Sequence, residues 1–362
     1  MYENKEKIER AVLAGVHTGA QDILADTNDE TIQELELLAK TAGAQVCAVM
    51  VQNRPRPDAG TYFGEGKLEE LKNACVAENA TLIIVDDELS GSQLRNIENA
   101  TDVRVIDRSA LILDIFAQRA LSREGKLQVE LAQLRYRLPR LSGSGTALSR
   151  LGGGIGTRGP GETKLESDRR HIHRRIGALE AELRDVERHR ALLRERRKKS
   201  NTTVAALVGY TNAGKSTLMN ALTNAGVYVE NKLFATLDTT SRSLRLPSGK
   251  NIMLIDTVGF IRKLPHHLIK AFKSTLEEAV NADILLHVID SSSDTAAEQI
   301  AVTDALLEEL GCSSKPTIAV FNKCDKVGDV PRAPGNYGSF VSVSAKNKFN
   351  IDTLLSAIEE CL

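Results

Sequence analysis

The residues best equipped for chemistry lie in the last third of the chain. Thr203–Val208 is an apolar run of strand type, and an apolar helical pattern ends near Leu222. Between them stands Gly209-Tyr-Thr-Asn-Ala-Gly-Lys-Ser216, which is GxxxxGKS in a strand–loop–helix setting. In such a loop the backbone N–H groups of Gly209, Tyr210, Thr211, Asn212, Ala213 and Gly214 can wrap a β-phosphate. Lys215 would neutralise the β/γ oxygens, and the Ser216 hydroxyl would ligate Mg²⁺, with Thr217 next to it in the same phosphate-binding group.

A second signal is Asp256-Thr-Val-Gly259 after the apolar run Asn251–Ile255. A carboxylate at that strand end can hold Mg²⁺ through water, and the Gly259 N–H can bond a γ-phosphate and sense its loss. A third is Asn322-Lys-Cys-Asp325 after the run Thr317–Phe321. The Asp325 carboxylate can accept from both N1–H and N2–H₂ of guanine, a donor pair that adenine lacks. Asn322 and Lys323 belong to the same base-binding loop. Ser344-Ala345-Lys346, after Phe340–Val343, would offer a backbone N–H to guanine O6. In this order and spacing, the motifs predict a GTP-hydrolysing domain with GTP/GDP and Mg²⁺ as ligands.

Asn231–Thr240 lies between the first two motifs. A threonine there is expected to close the Mg²⁺ shell: Thr236 is the first choice, beside Phe234, with Thr239 and Thr240 as alternatives. The expected metal ligands are thus Ser216, Thr236 and Asp256, and the expected catalytic groups Lys215, Thr236 and Gly259. Phe260 stands where a water-orienting glutamine is common. A low intrinsic rate follows, with the missing group supplied by another residue, an ion or a partner. Asn212 makes K⁺ a further candidate ion beside the phosphates, against simple shaping of the loop by its side chain.

The elements upstream must position this chemistry or carry it to a target. Net charge is −1, but it is unevenly spread: −10 over residues 1–118, +11 over 119–199 and −2 over 200–362. Leu127, Leu131, Leu134, Leu138 and Leu141 step by 4, 3, 4, 3. Ile172, Ile176, Leu179, Leu183, Val186 and Leu193 repeat the step, so both runs read as heptad seams. Eight glycines crowd the segment from Gly143 to Gly161. An antiparallel coiled-coil helical hairpin with a Gly-rich loop (143–161) is expected, its second helix restarting at the capping box Thr163-Lys-Leu-Glu166. With the apolar seam used internally, basic residues project outward. In the loop, Arg150, Arg158 and Lys164 suit an anionic partner such as RNA, against a plain linker.

Residues 1–118 alternate strand-like runs (Arg10–Val16, Gln45–Val51, Thr81–Val85, Val103–Ile106) with helical patterns (Glu30–Ala42, Lys67–Asn79, Ser92–Ala100). A parallel sheet covered by helices is expected. Ser90-Gly-Ser-Gln93 has capping-box spacing. Gly64-Glu-Gly-Lys67 opens a helix and could hold a phosphate or RNA backbone, although the full phosphate-loop spacing is missing. The expected domains are therefore 1–120 (α/β), 121–199 (basic hairpin) and 200–362 (GTPase).

Composition closes off other classes. Hydrophobic residues make up 42% and charged residues 26%, ordinary for a globular protein and unlike a disordered or collagenous chain. No run approaches the ~20 apolar residues of a membrane span. No secretory signal is expected, and five scattered cysteines without CxxC argue against disulfide or zinc scaffolds, which fits a reducing cytoplasm; a monomer is expected. Without Trp and with 4% aromatics, base stacking on an aromatic platform is disfavoured.

The chain resembles the HflX family of ribosome-associated GTPases, within the Obg–HflX group, over nearly its full length. The resemblance rests on Gly60–Leu71, Asp86–Ser90, Val105–Ser109, Gly125–Leu134, Ser149–Lys164, Phe234–Asp238 and Asp256–Phe260. It implies an N-terminal α/β domain, a helical hairpin and a Ras-like P-loop GTPase domain. It also implies GTP-dependent binding to the large ribosomal subunit and its rRNA, with splitting of stalled or idle ribosomes, often under stress. An apolar residue at the Phe260 position is a family trait. Two departures stand out: Thr239 occupies a position where the family commonly has Pro, and many members continue into a further C-terminal domain beyond the helix near Leu362. Two alternatives stay open: a GTPase of ribosome assembly or RNA modification, and a separate nucleotide-dependent activity in the N-terminal domain.

Overall fold

The structure is a computed structural model that describes residues 8–18, 27–141, 160–199, 202–223, 233–265, 268, 273–327, 337 and 339–362. Arg150 and Arg158, with nearly all of the glycine-rich loop, lie outside the described residues, as does the side chain of Lys164. The chain forms two compact units, residues 1–118 with 127–182 and residues 119–126 with 183–362.

The first unit holds a four-stranded sheet in the order β2-β1-β3-β4, built from β1 (Arg10–His17), β2 (Gln45–Asn53), β3 (Leu82–Val85) and β4 (Arg104–Asp107). All three pairings are parallel, as expected for strands separated by helices. The intervening helices are α1 (Thr27–Thr41), α2 (Glu65–Glu78) and α3 (Gly91–Thr101). At α3, Ser90 Oγ accepts from Gln93 N–H and the Gln93 side chain accepts from Ser90 N–H, so the expected capping box is formed. A fourth helix, α4 (Arg108–Arg119), was not expected. Its start is set by Asp107, whose Oδ1 accepts from Ala110 N–H at 2.8 Å.

The helical region comprises α5 (Arg123–Arg140) and α6 (Pro160–Lys199). Helix α6 begins at Pro160, so Thr163 lies inside the helix and is not its cap. A proline suits the first turn, where the N–H it lacks has no helical acceptor. Within the first unit, Glu130 pairs with Arg175 at 2.6 Å and Arg135 with Glu180 at 2.7 Å. Leu127, Leu131 and Leu179 are buried, whereas Leu193 is 37% exposed, so burial is uneven along the second seam.

The second unit is built on a six-stranded sheet, β10-β9-β8-β5-β7-β6. Its strands are β5 (Val204–Val208), β6 (Thr240–Arg245), β7 (Asn251–Asp256), β8 (Ile284–Asp290), β9 (Thr317–Asn322) and β10 (Ser339–Ser342). Only β6 runs antiparallel to its neighbour. The helices are α7 (Lys215–Thr223), α8 (Lys273–Asn281), α9 (Ala296–Glu309) and α10 (Ile351–Glu360). Strands β5 and β8 are buried over most of their length, as central parallel strands must be. Their apolar residues join Leu218, Met219, Leu354 and Ile358 in one core. The carboxyl ends of β5, β7, β8 and β9 carry the chemistry. No helix among the described residues is long and apolar enough to cross a membrane.

Candidate functional site

Strand β5 ends at Val208, and α7 begins at Lys215. The six residues between them form the loop. Gly209 takes φ +143°, and a Cβ there would strike the Val288 carbonyl, so only glycine fits. Lys215 is 6% exposed, and its Nζ donates to the carbonyls of Gly209 (3.0 Å) and Tyr210 (2.7 Å). Burial pulls its ammonium down to about 8, with Asp256 opposing the shift and Lys323 adding to it. An anion in the loop would favour the charged form.

Three oxygens converge beside Lys215. Ser216 Oγ donates to Asp256 Oδ2 at 2.6 Å and lies 2.8 Å from Thr236 Oγ1. Burial pushes the Asp256 carboxyl up, against the pull of Ser216 and Lys215. Asp256 Oδ1 and Thr211 Oγ1 are buried without a hydrogen-bond partner. A buried carboxylate oxygen left over beside two hydroxyls fits a hard divalent cation such as Mg²⁺, which takes oxygen ligands and keeps several waters. Thr240, by contrast, is committed to the β6–β7 ladder opposite Asp256, and Thr239 lines a small cavity with Arg190 and Arg194. Of the three threonines, Thr236 is the one brought to Ser216.

The Asp256–Phe260 segment is fastened to the phosphate loop. Phe260 N–H donates to the Gly209 carbonyl (3.1 Å), and Thr211 N–H to the Phe260 carbonyl (2.7 Å). The Phe260 side chain is 1% exposed. A Cβ on Gly259 would lie 2.7 Å from Thr211 Cα and 2.9 Å from Lys215 Nζ, so this position too demands glycine. Phe234 is buried with φ +53° and stays in the wall of the segment before Thr236.

The loops expected to bind the base are tied together by one amide. Asn322 Nδ2 donates to the Ala213 carbonyl (2.9 Å), and its Oδ1 accepts from Ala345 N–H (3.0 Å). Lys323, at φ +63°, donates to the Asn212 carbonyl (2.8 Å) and pairs with Asp290 (2.6 Å). Asp325 is exposed, and the Ser344 hydroxyl at 2.5 Å holds its carboxyl below the usual range. It is therefore an ionised, acceptor-only group facing outward, as the guanine edge requires. Two amides of the Ser344–Lys346 stretch already have acceptors, since Ser344 N–H donates to the Phe349 carbonyl and Ala345 N–H to Asn322. That leaves Lys346 as the one to test against guanine O6. Thr217 follows Ser216 in the first turn of α7. Asn212 is exposed at φ +62°.

Asp290 was missed by sequence reasoning; its signal was a carboxylate closing the apolar run of β8. The weaker expectation at Gly64–Lys67 meets a self-contained turn. Asp58 Oδ1 accepts from Gly60 and Thr61 N–H, Gly64 N–H donates to Gln52, and Lys67 pairs with Glu70. All five cysteines are free, and the described residues hold no group of three or more His, Cys, Asp or Glu side chains that could hold a metal ion.

Known proteins are similar to this chain. Three family profiles match in series: GTP-binding GTPase N-terminal over residues 29–117, GTP-binding GTPase Middle Region over 119–197, and 50S ribosome-binding GTPase over 204–323. GTPase HflX of Caldanaerobacter subterraneus is 57% identical over 351 residues, spanning 97% of this chain and 80% of the relative. GTPase HflX of Escherichia coli is 43% identical over 366 residues, spanning 100% and 85%. Among solved structures, a GTP-binding protein from Sulfolobus solfataricus in complex with GDP aligns with TM-score 0.50 at 26% identity, over 98% of each chain. With relatives this similar over nearly its whole length, this chain belongs to the HflX family of GTPases, binding guanine nucleotide and hydrolysing GTP.

Proposed function

We propose that this GTPase is a switch that acts on the large ribosomal subunit and separates stalled or idle ribosomes. The carrying observation is the basic helical region. Residues 119–199 hold a net charge of +11, and Arg169, Arg170, Arg174, Arg184 and Arg188 are exposed on α6. Such a surface suits ribosomal RNA, and the family profile over residues 204–323 is that of a 50S ribosome-binding GTPase. Buried, strapped Phe260 supports the same reading: it offers no group to orient the attacking water, so fast hydrolysis waits for a partner.

In this reading the chain works as three parts, residues 1–120, 121–199 and 200–362. Gly209–Thr217 cradle the phosphates, and Asn322, Lys323, Asp325 and the Ser344–Lys346 loop hold the base. Ser216, Thr236 and Asp256 would hold Mg²⁺, which when bound neutralises charge on the phosphate oxygens. Lys215 holds the β/γ oxygens, and Gly259 N–H reads the γ-phosphate. Arg150, Arg158 and Lys164 would add contacts to RNA. K⁺ beside Asn212 would supply positive charge near the phosphates; equal rates in KCl and NaCl would remove it.

The test is GTP hydrolysis with and without purified large subunits, with pelleting of the same mixtures and light scattering of intact ribosomes. Strong stimulation, GTP-dependent co-sedimentation and loss of scattering are expected. Binding to immature particles alone, with intact ribosomes unaffected, would favour the ribosome-assembly reading instead.

A further inference from the structure

The segment that carries Thr236 is also bolted to the start of the helical region, inside the second unit. Two residues after Thr236, Asp238 Oδ2 accepts from the backbone N–H groups of Leu121 (2.9 Å) and Ser122 (2.8 Å). Its other oxygen accepts from the Ser122 hydroxyl. Ser122 Oγ in turn accepts from Gly125 N–H at 2.8 Å, which makes Ser122 the cap of α5. Asp238 thus places a full negative charge where the helix start offers unpaired donors and the positive end of its dipole.

A glycine marks the contact as built. Gly125 lies in the first turn of α5, where alanine is the better helix former. A Cβ at that position would collide with the Asp238 carboxylate. The helix start therefore keeps a residue unfavourable to itself, and the space it leaves is occupied by Asp238.

A second set of contacts joins α6 to the start of α5 and to α8. Arg190 of α6 pairs with Glu124 of α5 at 2.9 Å and reaches Glu278 of α8 at 3.8 Å. Arg194 pairs with Glu277 at 3.1 Å. Helix α8 follows the Asp256–Phe260 segment in the chain. Thr239 and Ser241, just past Asp238, line a cavity of about 120 Å³ with Arg190, Leu193, Arg194 and Glu278.

We propose that Asp238 is a positioning residue that makes ordering of Thr236 by GTP and ordering of the α5 start a single equilibrium. When Thr236 closes on its site, Asp238 is held against Leu121 and Ser122; when Thr236 lets go, the α5 cap loosens. By linkage, a partner that fixes the root of α5 raises affinity for GTP and not for GDP. This rests on Thr236 as the hydroxyl that closes the Mg²⁺ shell.

The test uses the full chain. Hydrogen exchange over residues 119–126 is compared between the GDP state and a non-hydrolysable GTP state, with fluorescent GTP and GDP analogues titrated in parallel. Exchange is expected to slow in the GTP state. Asp238→Ala is expected to lower the GTP-over-GDP affinity ratio about tenfold, within the usual 5–150-fold span of such couplings, with GDP affinity unchanged. Gly125→Ala should act in the same direction from the helix side, and the two losses should fail to add. A merely structural contact predicts a change in stability alone for both variants, with an unaltered ratio. Equal exchange in both states, or an unaltered ratio in both variants, overturns the proposal. Thr236→Ala separates the premises: if it leaves the ratio intact, the Thr236 reading fails; if it lowers the ratio while Asp238→Ala does not, the coupling alone fails.

Discussion

The two units of this chain use the carboxyl ends of parallel strands in opposite ways. In the first, the acids at the strand ends are consumed internally. Asp86, just after β3, pairs with the buried guanidinium of Arg108 at 2.7 Å, and Arg108 also meets Glu34 of α1. Asp107, at the end of β4, is fully buried and accepts from Leu89 N–H, Ala110 N–H and Arg140. In the second unit Asp290, at the end of β8, is likewise taken by Lys323 at 2.6 Å, but the end of β7 and the loop after β5 keep capacity in hand. Asp256 Oδ1 and Thr211 Oγ1 are buried without partners, Lys215 is satisfied only by loop carbonyls, and Asp325 faces outward. The same layered architecture yields a self-sealed scaffold in one case and a ligand site in the other. What differs is whether both oxygens of a strand-end acid are claimed from within the chain: those of Asp107 are, and Oδ1 of Asp256 is not.

That contrast can be broken most forcefully at Arg108. Arg108→Ala strands Asp86 and Glu34 in the interior, and leaving a buried ion pair half-made costs about 3–5 kcal/mol. Thermal unfolding monitored in the first unit should fall accordingly, with GTP affinity in the second unit intact. In the second unit the equivalent change removes binding and not stability. Lys215→Ala deletes a charge-assisted contact to the phosphates and should weaken GTP binding roughly 100-fold by titration. Asp325→Asn keeps one acceptor but adds donors facing guanine N1–H and N2–H₂. GTP-over-ATP selectivity should drop by about 10- to 100-fold in competition binding.

The smallest effect comes from pH. Free Lys215 loses its proton near 8, since burial disfavours the ammonium. Below that pH the ammonium is ready for phosphate; above it, each pH unit costs up to about tenfold in affinity, because a proton must be taken up on binding. A GTP titration from pH 7 to 9.5 should show this decline in the native chain and a flat profile in Lys215→Ala.

Much of the site was legible because its demands are local. The phosphate loop needs glycines where a side chain would collide, and the switch needs one at Gly259; both leave marks in a single short window. The expectation of guanine selectivity rests on a carboxylate after a buried strand, and Asp325 does stand exposed after one. The strands of the first sheet also emerged within a residue or two, since apolar runs between helical patterns have few other homes. What stayed hidden depends on distant partners. Nothing beside Arg108 in the sequence announces its burial, since its partners Asp86 and Glu34 lie 22 and 74 residues away. Asp238 reads as a turn residue, yet its donors lie 116 and 117 residues earlier. Helix α4 escaped notice because its signal is Asp107, an acid that looks like the end of a strand and serves equally as a cap.

The register of β6 against β7 sets a tether length. Thr240 is the first residue of β6 and sits opposite Asp256, the last residue of β7. Thr236 is therefore four residues from a fixed rung, and a fully extended chain of that length reaches roughly 13–14 Å. With Asp238 fastened, the free leash shortens to two residues, about 7 Å. On the coupling proposed above, the segment is a short-stroke latch while Asp238 stays fastened. A pair of distance labels on Thr236 and the β6–β7 ladder would register ångströms of travel, and any larger motion in the nucleotide cycle must be made by whatever the latch releases.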